Sequence, residues 1–178
     1  MAGFVNYITP RGFKRLQAEL DALWGTVRPK VVDEVHYAAS LGDRSENAEY
    51  IYGKKKLRKI DRRVRWLRKR LEAAEVVEPA IDRGTRVYFG ATIVLTYEDG
   101  TERQLDLVGE DEIEPEKGRI SWRSPIGRAV MRREEGDVVS IKGPEGLIEV
   151  EIAEVSYLEQ APDDENQAIF RDISLGAR

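Results

Sequence analysis

The stretch from Tyr50 to Leu71 reads YIYGKKKLRKIDRRVRWLRKRL, and its apolar positions decide the fold. They recur at alternating spacings of three and four residues, which is the 3.5-residue period of a coiled-coil seam. The seam positions are Tyr50, Gly53, Leu57, Ile60, Val64, Leu67 and Leu71. The pattern therefore predicts one long helix that packs along a neighbouring helix.

A second, kinked helix is predicted on the N-terminal side of this seam. Thr9 can cap its first turn, and Pro10 suits the first helical position, where a backbone N–H would have no partner. Pro29 falls inside the helical pattern and should kink or locally break it. We expect the two arms to pack antiparallel as a coiled-coil hairpin of residues 1–78. The apolar positions of the first arm are Leu16, Leu20, Leu23, Val27, Val31 and Val35.

The segment from Leu41 to Tyr50, LGDRSENAEY, lies where the first helical pattern stops and the second begins. A turn over Leu41 to Ser45 would place the carboxylates of Asp43 and Glu46 at the tip of the hairpin. In one interpretation Asp43 caps the second arm, and Glu46 reaches back to a free N–H as a capping box. In the other, the carboxylates face outward and share Mg²⁺ with a partner, because two ligands are too few for a private site. The two interpretations are not exclusive.

The segment from Lys54 to Arg70 holds 11 basic residues and one acid. Its net charge is +10, so the remaining residues carry −14 within a total of −4. A solvated helix face normally mixes both signs, whereas this run does not, and a polyanion is therefore favoured over a plain solvated face. Trp66 and Tyr52 could stack on bases, but packing against the first arm is the expected role of both.

Near Val76 the pattern changes, and residues 79–160 predict a small α+β domain with a mostly antiparallel sheet. One short helix is expected between Ser124 and Arg133, with Ser124 as its cap and Pro125 at its first position. Residues 161–178 are expected to form a loosely ordered tail. Hairpin turns are predicted at residues 98–100 and 143–146. The predicted strands are Thr85–Phe89, Ala91–Tyr97, Arg103–Val108, Arg119–Trp122, Val138–Ile141 and Leu147–Tyr157.

The composition excludes several kinds of site. The 178 residues contain no Cys, so disulfides and thiolate metal sites are impossible, and the single His36 rules out multi-histidine zinc chemistry within one subunit. No phosphate-binding glycine motif suggests a nucleotide cofactor. No segment approaches the ~20 apolar residues of a membrane span, and the N-terminus lacks the features of a signal peptide. We therefore expect a cytoplasmic protein with no membrane partner.

Several segments together resemble the bacterial Gre transcript-cleavage factor family of transcription elongation factors. In the hairpin, the tip segment LGDRSENAEY and the basic run that includes IDRRVRWL carry the resemblance. The dense basic run and Ala38-Ala39-Ser40 favour the GreB branch. The resemblance extends to about Leu158, with supporting segments at residues 88–91, 108–113, 124–129 and 135–137.

The resemblance implies a C-terminal FKBP-like domain that docks at the rim of the secondary channel of bacterial RNA polymerase, which the coiled coil enters. The factor would be a monomer without enzymatic activity or a cofactor of its own. Its tip would share Mg²⁺ with the polymerase, which cuts the extruded 3′ RNA of a backtracked, arrested complex. The catalytic and metal-binding roles fall on Asp43 and Glu46, supported by Ser45 and Asn47. The implied RNA-binding residues are Lys54, Lys55, Arg58, Arg62, Arg63, Arg65, Arg68 and Lys69, and the implied docking residues are Ser124, Pro125, Ile126 and Arg128.

Two other functions stay open at this point. A channel-binding regulator of the same build would inhibit or modulate the polymerase without cleavage, although the intact Asp43 and Glu46 argue against it. A coiled-coil RNA-binding protein would bind RNA without the polymerase, in a salt-sensitive manner that is indifferent to the tip.

Overall fold

The structure, a computed structural model, describes residues 5–42, 46–78, 83–143 and 146–157 of the chain. The described residues form two compact units. The hairpin unit comprises residues 14–73, and the C-terminal unit comprises residues 5–13 together with 74–157. This division differs from the domain ranges predicted from the sequence, because residues 5–13 belong to the C-terminal unit.

The hairpin unit has two helical arms that run antiparallel, and the first arm is made of consecutive helical segments. Helix α1 (Pro10–Ala22) is followed by a π-helical segment (Leu23–Val27) and by α2 (Arg28–Ser40), and α3 (Ala48–Glu72) returns beside them. The division between the two units falls inside α1. The predicted stripes form the seam, since their buried members are Leu16, Leu23 and Val31 on the first arm and Gly53, Ile60, Val64 and Leu67 on α3.

The predicted disturbance near Pro29 is a π-helical turn just before that residue. The Arg28 N–H donates to the carbonyl of Leu23, five residues earlier, instead of the usual four. Pro29 has no N–H to give and lies within the first two positions of α2. The wider turn therefore adjusts the helix at the point where the proline interrupts its hydrogen bonds.

The C-terminal unit contains a mixed five-stranded sheet. Strands β1 (Asn6–Ile8) and β2 (Ala74–Val76) form a separate pair, and the sheet contains β3 (Thr92–Tyr97), β4 (Glu102–Val108), β5 (Arg119–Ser121), β6 (Val138–Gly143) and β7 (Gly146–Ser156). The strand order in the sheet is β5-β4-β3-β7-β6, in which β4 and β5 are parallel and the other neighbours are antiparallel. The core beneath it includes Ile93, Leu95, Leu107, Val130 and Ile152, each with no exposed surface. Among the described residues that follow the start of β3, one α-helix is present, α4 (Pro125–Val130).

A two-stranded parallel pair, which the sequence analysis missed, lies in the same unit. Strand β1 (Asn6–Ile8) pairs with β2 (Ala74–Val76), so the chain that precedes α1 lies beside the chain that follows α3. Each strand has only three residues, too few for an alternating pattern to stand out in the sequence.

The predicted strand over Thr85–Phe89 is wrong. Only Arg86 forms a bridge there, with Glu134, outside the named strands. The backbone of Val87 bonds to the loop instead of to the sheet, since it accepts from Arg132 N–H and donates to the carbonyl of Arg133. The segment's hydrogen bonds are therefore satisfied by a loop, which a run of β-type residues does not reveal.

The predicted short helix is confirmed, but it ends before Arg133. The Ser124 hydroxyl accepts the N–H of Gly127 at 3.0 Å, and Pro125 occupies the first turn as expected. The helix stops after Val130 because Met131 has an extended ψ of 130°, and Arg132 follows in the left-handed region with a φ of 66°.

A buried carboxylate fixes the start of α1 within the C-terminal unit. Glu112 is 2% exposed, and its Oε2 accepts the backbone N–H groups of Thr9 at 2.9 Å and Gly109 at 3.0 Å. The hydroxyl of Thr9 donates to Oε1 while it accepts the N–H of Gly12, so Thr9 is the helix cap that the sequence predicted. A Cβ on Gly12 would lie 2.2 Å from Cδ of Glu112, and only glycine fits at this position.

None of the helices in the described ranges combines the length and the apolarity that a membrane-spanning helix needs.

Candidate functional site

The tip of the hairpin is closed by Asn47. Its Oδ1 accepts the N–H of Tyr50 at 3.0 Å, which caps α3, and its Nδ2 donates to the carbonyl of Ala38 at 2.8 Å. One side chain therefore satisfies the start of α3 and the end of α2 together. The sequence analysis gave Asn47 a supporting role, and the contacts show how it ties the two helices, while its functional role stays a prediction.

The capping box that the sequence suggested for Asp43 and Glu46 is wrong. The cap of α3 is Asn47 and the helix begins at Ala48, so Glu46 precedes the cap and cannot occupy the third helical position. Asp43 and Ser45 lie outside the described residues. Glu46 is exposed, so its carboxylate is accessible to a partner.

The chemistry of the tip suits a shared metal site better than a private one. Carboxylate oxygens are ligands that Mg²⁺ prefers, and Mg²⁺ commonly takes only one or two of them from a protein and the rest from water or phosphate. The exposed carboxylate of Glu46 fits such a role. Within the described ranges no group of three or more His, Cys, Asp or Glu side chains is placed to hold a metal ion.

A row of basic side chains occupies the outer face of α3. Successive members lie three or four residues apart, on the side of the helix opposite the buried seam, and all of them are exposed. Among the described residues none of them has an ion-pair or hydrogen-bond partner. The row, which we call the basic row, consists of Lys55, Arg58, Arg62, Arg65 and Lys69.

The other three predicted RNA-binding residues are engaged within the hairpin. Arg63 makes two hydrogen bonds to Glu19, at 2.6 and 2.8 Å, and its guanidinium lies 4.3 Å from the centre of the Trp66 ring. Arg68 lies 4.4 Å from the Trp24 ring, and Lys54 lies 5.6 Å from the Tyr50 ring. Arg63 and Arg68 thus join the two arms, whereas Lys54 contacts a residue of its own helix. Because all three have partners, they are weaker candidates for RNA than the basic row.

The sequence analysis expected Trp66 and Tyr52 to pack against the first arm, but both side chains are exposed. Trp66 is 38% exposed and Tyr52 is 60% exposed. Each residue comes one position before a seam residue, Gly53 or Leu67, so the helix turns its side chain about 100° away from that position, which explains its exposure.

Three of the four predicted docking residues lie at a cleft of the C-terminal unit. Ser124, Pro125 and Ile126 border a cleft of about 420 Å³. Its walls are apolar, with Ile120, Ile126, Ile141 and Ile148 among them, and Arg103 and Lys142 add positive charge. Arg128 is exposed but does not line the cleft. The neighbouring Arg123 lies 3.5 Å from a carboxylate oxygen of Glu110 and 4.8 Å from the Trp122 ring centre.

Comparison with known proteins matches both parts of the chain. A family model described as "Transcription elongation factor, N-terminal" covers residues 6–76, and one described as "Transcription elongation factor, GreA/GreB, C-term" covers residues 82–157. Transcription elongation factor GreB of Neisseria meningitidis serogroup B is 49% identical over 154 residues, which are 86% of this chain and 94% of that protein. GreB of Yersinia pestis is 45% identical over 168 residues, 94% of this chain and 96% of that protein.

Solved structures of related proteins were also found. GreA factor homolog 1 (Gfh1) of Thermus thermophilus has a TM-score of 0.41 at 20% identity, over 86% of this chain and 99% of that one. The elongation factor GreA/GreB of Nitrosomonas europaea has a TM-score of 0.39 at 23% identity, over 85% of this chain and 99% of that one.

Proposed function

The chain belongs to the GreA/GreB family of transcription elongation factors, and from this premise we propose that it stimulates transcript cleavage by RNA polymerase. The hairpin enters the secondary channel of the polymerase, and the polymerase cuts the 3′ RNA of a backtracked, arrested complex. The factor is an accessory protein, since the catalytic centre that cuts the RNA belongs to the polymerase. It acts as a monomer in the bacterial cytoplasm, where transcription takes place.

The observation that carries this proposal is the geometry of the tip. Asn47 holds the ends of α2 and α3 together through bonds to Tyr50 and Ala38, and Glu46 precedes it with an exposed carboxylate. An acidic group at the end of a long two-helix arm can be carried into another protein's site. A carboxylate that capped its own helix would be less available for that role.

At the active site of the polymerase, Asp43 and Glu46 would supply oxygen ligands to a shared Mg²⁺ and orient the attacking water. A second Mg²⁺ in phosphodiester hydrolysis stabilises charge on the attacking and leaving oxygens. Asn47 ties the end of α2 to the start of α3 on either side of the tip segment, and Ser45 would support the carboxylates. The factor itself needs no cofactor for this role.

The basic row supports the same proposal, because the extruded RNA is a polyanion. Five exposed cations without partners among the described residues follow one face of the helix that leads away from the tip. Contacts of this kind to phosphates are sequence-independent and weaken as the salt concentration rises. We propose that this row holds the extruded 3′ RNA, while Lys54, Arg63 and Arg68 contribute less because they have partners in the hairpin.

The cleft beside Ser124, Pro125 and Ile126 is the proposed contact with the rim of the polymerase channel. Its apolar walls offer surface that a partner can cover, and Arg103 and Lys142 favour a partner with acidic groups. Arg128 is exposed but does not line the cleft, so it is a weaker candidate for this contact.

The test is RNA cleavage in a stalled, backtracked elongation complex formed with the cognate polymerase. The wild type and the double variant Asp43→Asn, Glu46→Gln are compared at equal occupancy, because loss of binding must be separated from loss of chemistry. We expect the wild type and the control Glu72→Gln, an exposed change at the last residue of α3, to shorten the RNA, and we expect the double variant not to shorten it. Binding by the wild type without any shortening would refute the cleavage function and leave a channel-occupying regulator.

A second function, RNA binding without the polymerase, is favoured by the basic row alone. It predicts salt-sensitive binding of free RNA that Arg62→Glu abolishes and that the tip variants leave unchanged. If this binding occurs while the wild type fails to bind the polymerase, the second function replaces the first.

A further inference from the structure

A notch between α2 and α3, close to the tip, has the features of a binding site for a cationic side chain. It has a volume of about 290 Å³, and all its lining residues belong to the hairpin unit. It lies beside the last two turns of α2 and the first turns of α3. The lining residues are Glu34, Tyr37 and Ala38 of α2 and Glu49, Tyr52 and Gly53 of α3.

Small residues form the floor of this notch. Gly53 has no side chain, and a Cβ added there would lie 2.5 Å from Cγ2 of Val35, so α2 and α3 approach closely at this level. Ala38 is also buried and contributes only a methyl group. Gly53 and Ala38 therefore form a floor of small residues where the two helices meet, and the volume of the notch lies beside this floor.

Two aromatic rings line the notch and are largely uncovered. Tyr37 is 67% exposed and Tyr52 is 60% exposed. Within the described part of the chain, neither side chain makes a hydrogen bond or a ring contact. Large exposed aromatic side chains that share one concave site indicate a surface that a partner covers.

The charge around the notch is opposite to that of the rest of α3. Residues 33–53 contain five acids and one base, a net charge of −4, whereas residues 54–70 carry +10. Glu49 is exposed, and the side chain of Glu34 is 63% exposed with only a loose ion pair to Lys56 at 3.8 Å. Two carboxylates beside the rings repel RNA phosphates and attract a cation.

We propose that this tyrosine notch binds an arginine side chain of the protein that the hairpin enters. A planar guanidinium can stack on aromatic rings and bond carboxylates through its fork of N–H groups, and both kinds of group are present here. Lysine would use the rings and the charge but not the fork. The inference rests on the proposed function, under which that protein is RNA polymerase, and it adds a contact separate from the acidic tip and the basic row.

Affinity for the cognate elongation complex, measured at several salt concentrations with the full-length chain, tests the chemistry of the notch. Replacing Tyr37 and Tyr52 together by Phe keeps the aromatic faces and should leave the affinity within about twofold, whereas replacing both by Leu should weaken it about tenfold. The double change Glu34→Gln, Glu49→Gln should weaken binding and reduce its salt dependence. Glu72→Gln, an exposed change at the other end of α3, is the control and should have no effect.

Each other pattern would overturn the proposal in a different way. Leu variants that bind as well as the wild type would show a merely apolar contact or none, and a loss with Phe would show that the hydroxyl groups are what the partner recognises. Weaker binding of free RNA by the Leu variants, with polymerase affinity unchanged, would make the notch a platform for bases. Self-association of the wild type that the Leu variants abolish would make the occupant a second copy of this chain.

A cross-linking experiment identifies the occupant directly. A photoreactive phenylalanine in place of Tyr52 should cross-link to a polymerase peptide that contains an arginine near the attachment point, as mass spectrometry would show. Cross-links to RNA, or to a polymerase peptide without a basic residue, would contradict the proposal. The two failures are distinguishable. A wild type that does not bind the polymerase refutes the proposed function, whereas a wild type that binds it with the same affinity as the Leu variants refutes only the notch.

Discussion

Replacing Glu112 should destabilise the C-terminal unit more than any exposed acidic substitution, because its carboxylate satisfies buried donors from two distant parts of the chain. The donors are the N–H groups of Thr9 and Gly109, both on buried residues, and the hydroxyl of Thr9. In Glu112→Ala both N–H groups lose their partner. At about 1–3 kcal/mol for each buried donor left unsatisfied, we expect a loss of about 2–6 kcal/mol.

The variant Glu112→Gln separates hydrogen bonding from charge and shape. Its carbonyl oxygen can still accept the N–H groups of Thr9 and Gly109, but its amide would meet the Thr9 hydroxyl, which already accepts the N–H of Gly12. We therefore expect an intermediate loss of about 1–2 kcal/mol, since a charge-assisted bond is replaced by a neutral one. The exposed Glu116→Ala is the matched control and should stay within about 0.5 kcal/mol of the wild type.

Two measurements check this prediction. Denaturant unfolding of the full-length chain gives the free energy of unfolding. Trp24 and Trp66 of the hairpin are replaced by Phe in every variant, so that the fluorescence comes from Trp122. The ring centre of Trp122 lies 5.7 Å from that of Tyr7, so its signal reports on the N-terminal strand. Hydrogen exchange at the amides of Thr9 and Gly109 gives the local effect and does not depend on two-state unfolding of both units. Equal stability of Glu112→Ala and Glu116→Ala, with unchanged protection of both amides, would refute the reasoning.

Three further substitutions test other contacts of the structure. Gly12→Ala should destabilise the protein by about 1–3 kcal/mol in denaturant unfolding, because its Cβ would overlap Glu112, whereas Gly25→Ala, with nothing within 4 Å of the added Cβ, should be neutral or stabilising. Asn47→Ala should lower the free energy of unfolding of the hairpin by about 1–2 kcal/mol, because the cap of α3 is lost, and Asn47→Asp should recover part of this stability. Thermal unfolding followed by the circular dichroism of the helices measures both effects. Tyr157→Phe should lower the free energy of unfolding in urea by about 1–2 kcal/mol, because the Tyr157 hydroxyl accepts the Tyr88 N–H and donates to the carbonyl of Arg86. The variant should also lose a tyrosine titration whose pKa is raised by burial, and an unchanged stability would contradict this prediction.

Much of the hairpin and the C-terminal unit could be predicted from local patterns. The seam of α3, the cap at Thr9, the disturbance near Pro29 and the short helix after Ser124 are confirmed, because each depends on residues within a few positions of one another. The strand predicted over Thr85–Phe89 failed for the opposite reason. Its residues have β-type side chains, but their backbone groups find partners in a loop almost 50 residues later.

The candidate site divides in the same way. The acidic tip segment and the basic run are visible in the sequence, and so is the period that places the basic row opposite the seam. The sequence could not show that Asn47 is the cap of α3, since Asp43, Ser45 and Asn47 are all residue types that cap helices. Nor could it show which basic residues have partners, because Arg63 meets Glu19, 44 residues away, across the hairpin.

The order of residues along the chain is enough to predict the two helical arms, the sign and period of their charged face, and the family, because periodicity, capping and motif are local patterns. Tertiary packing establishes the parallel pairing of β1 with β2, the burial of Glu112 against Thr9 and Gly12, and the notch between Tyr37 and Tyr52. Each of these joins residues that are distant in sequence. Their contacts form only when the packing of whole helices and strands brings them together, and no local pattern records that packing.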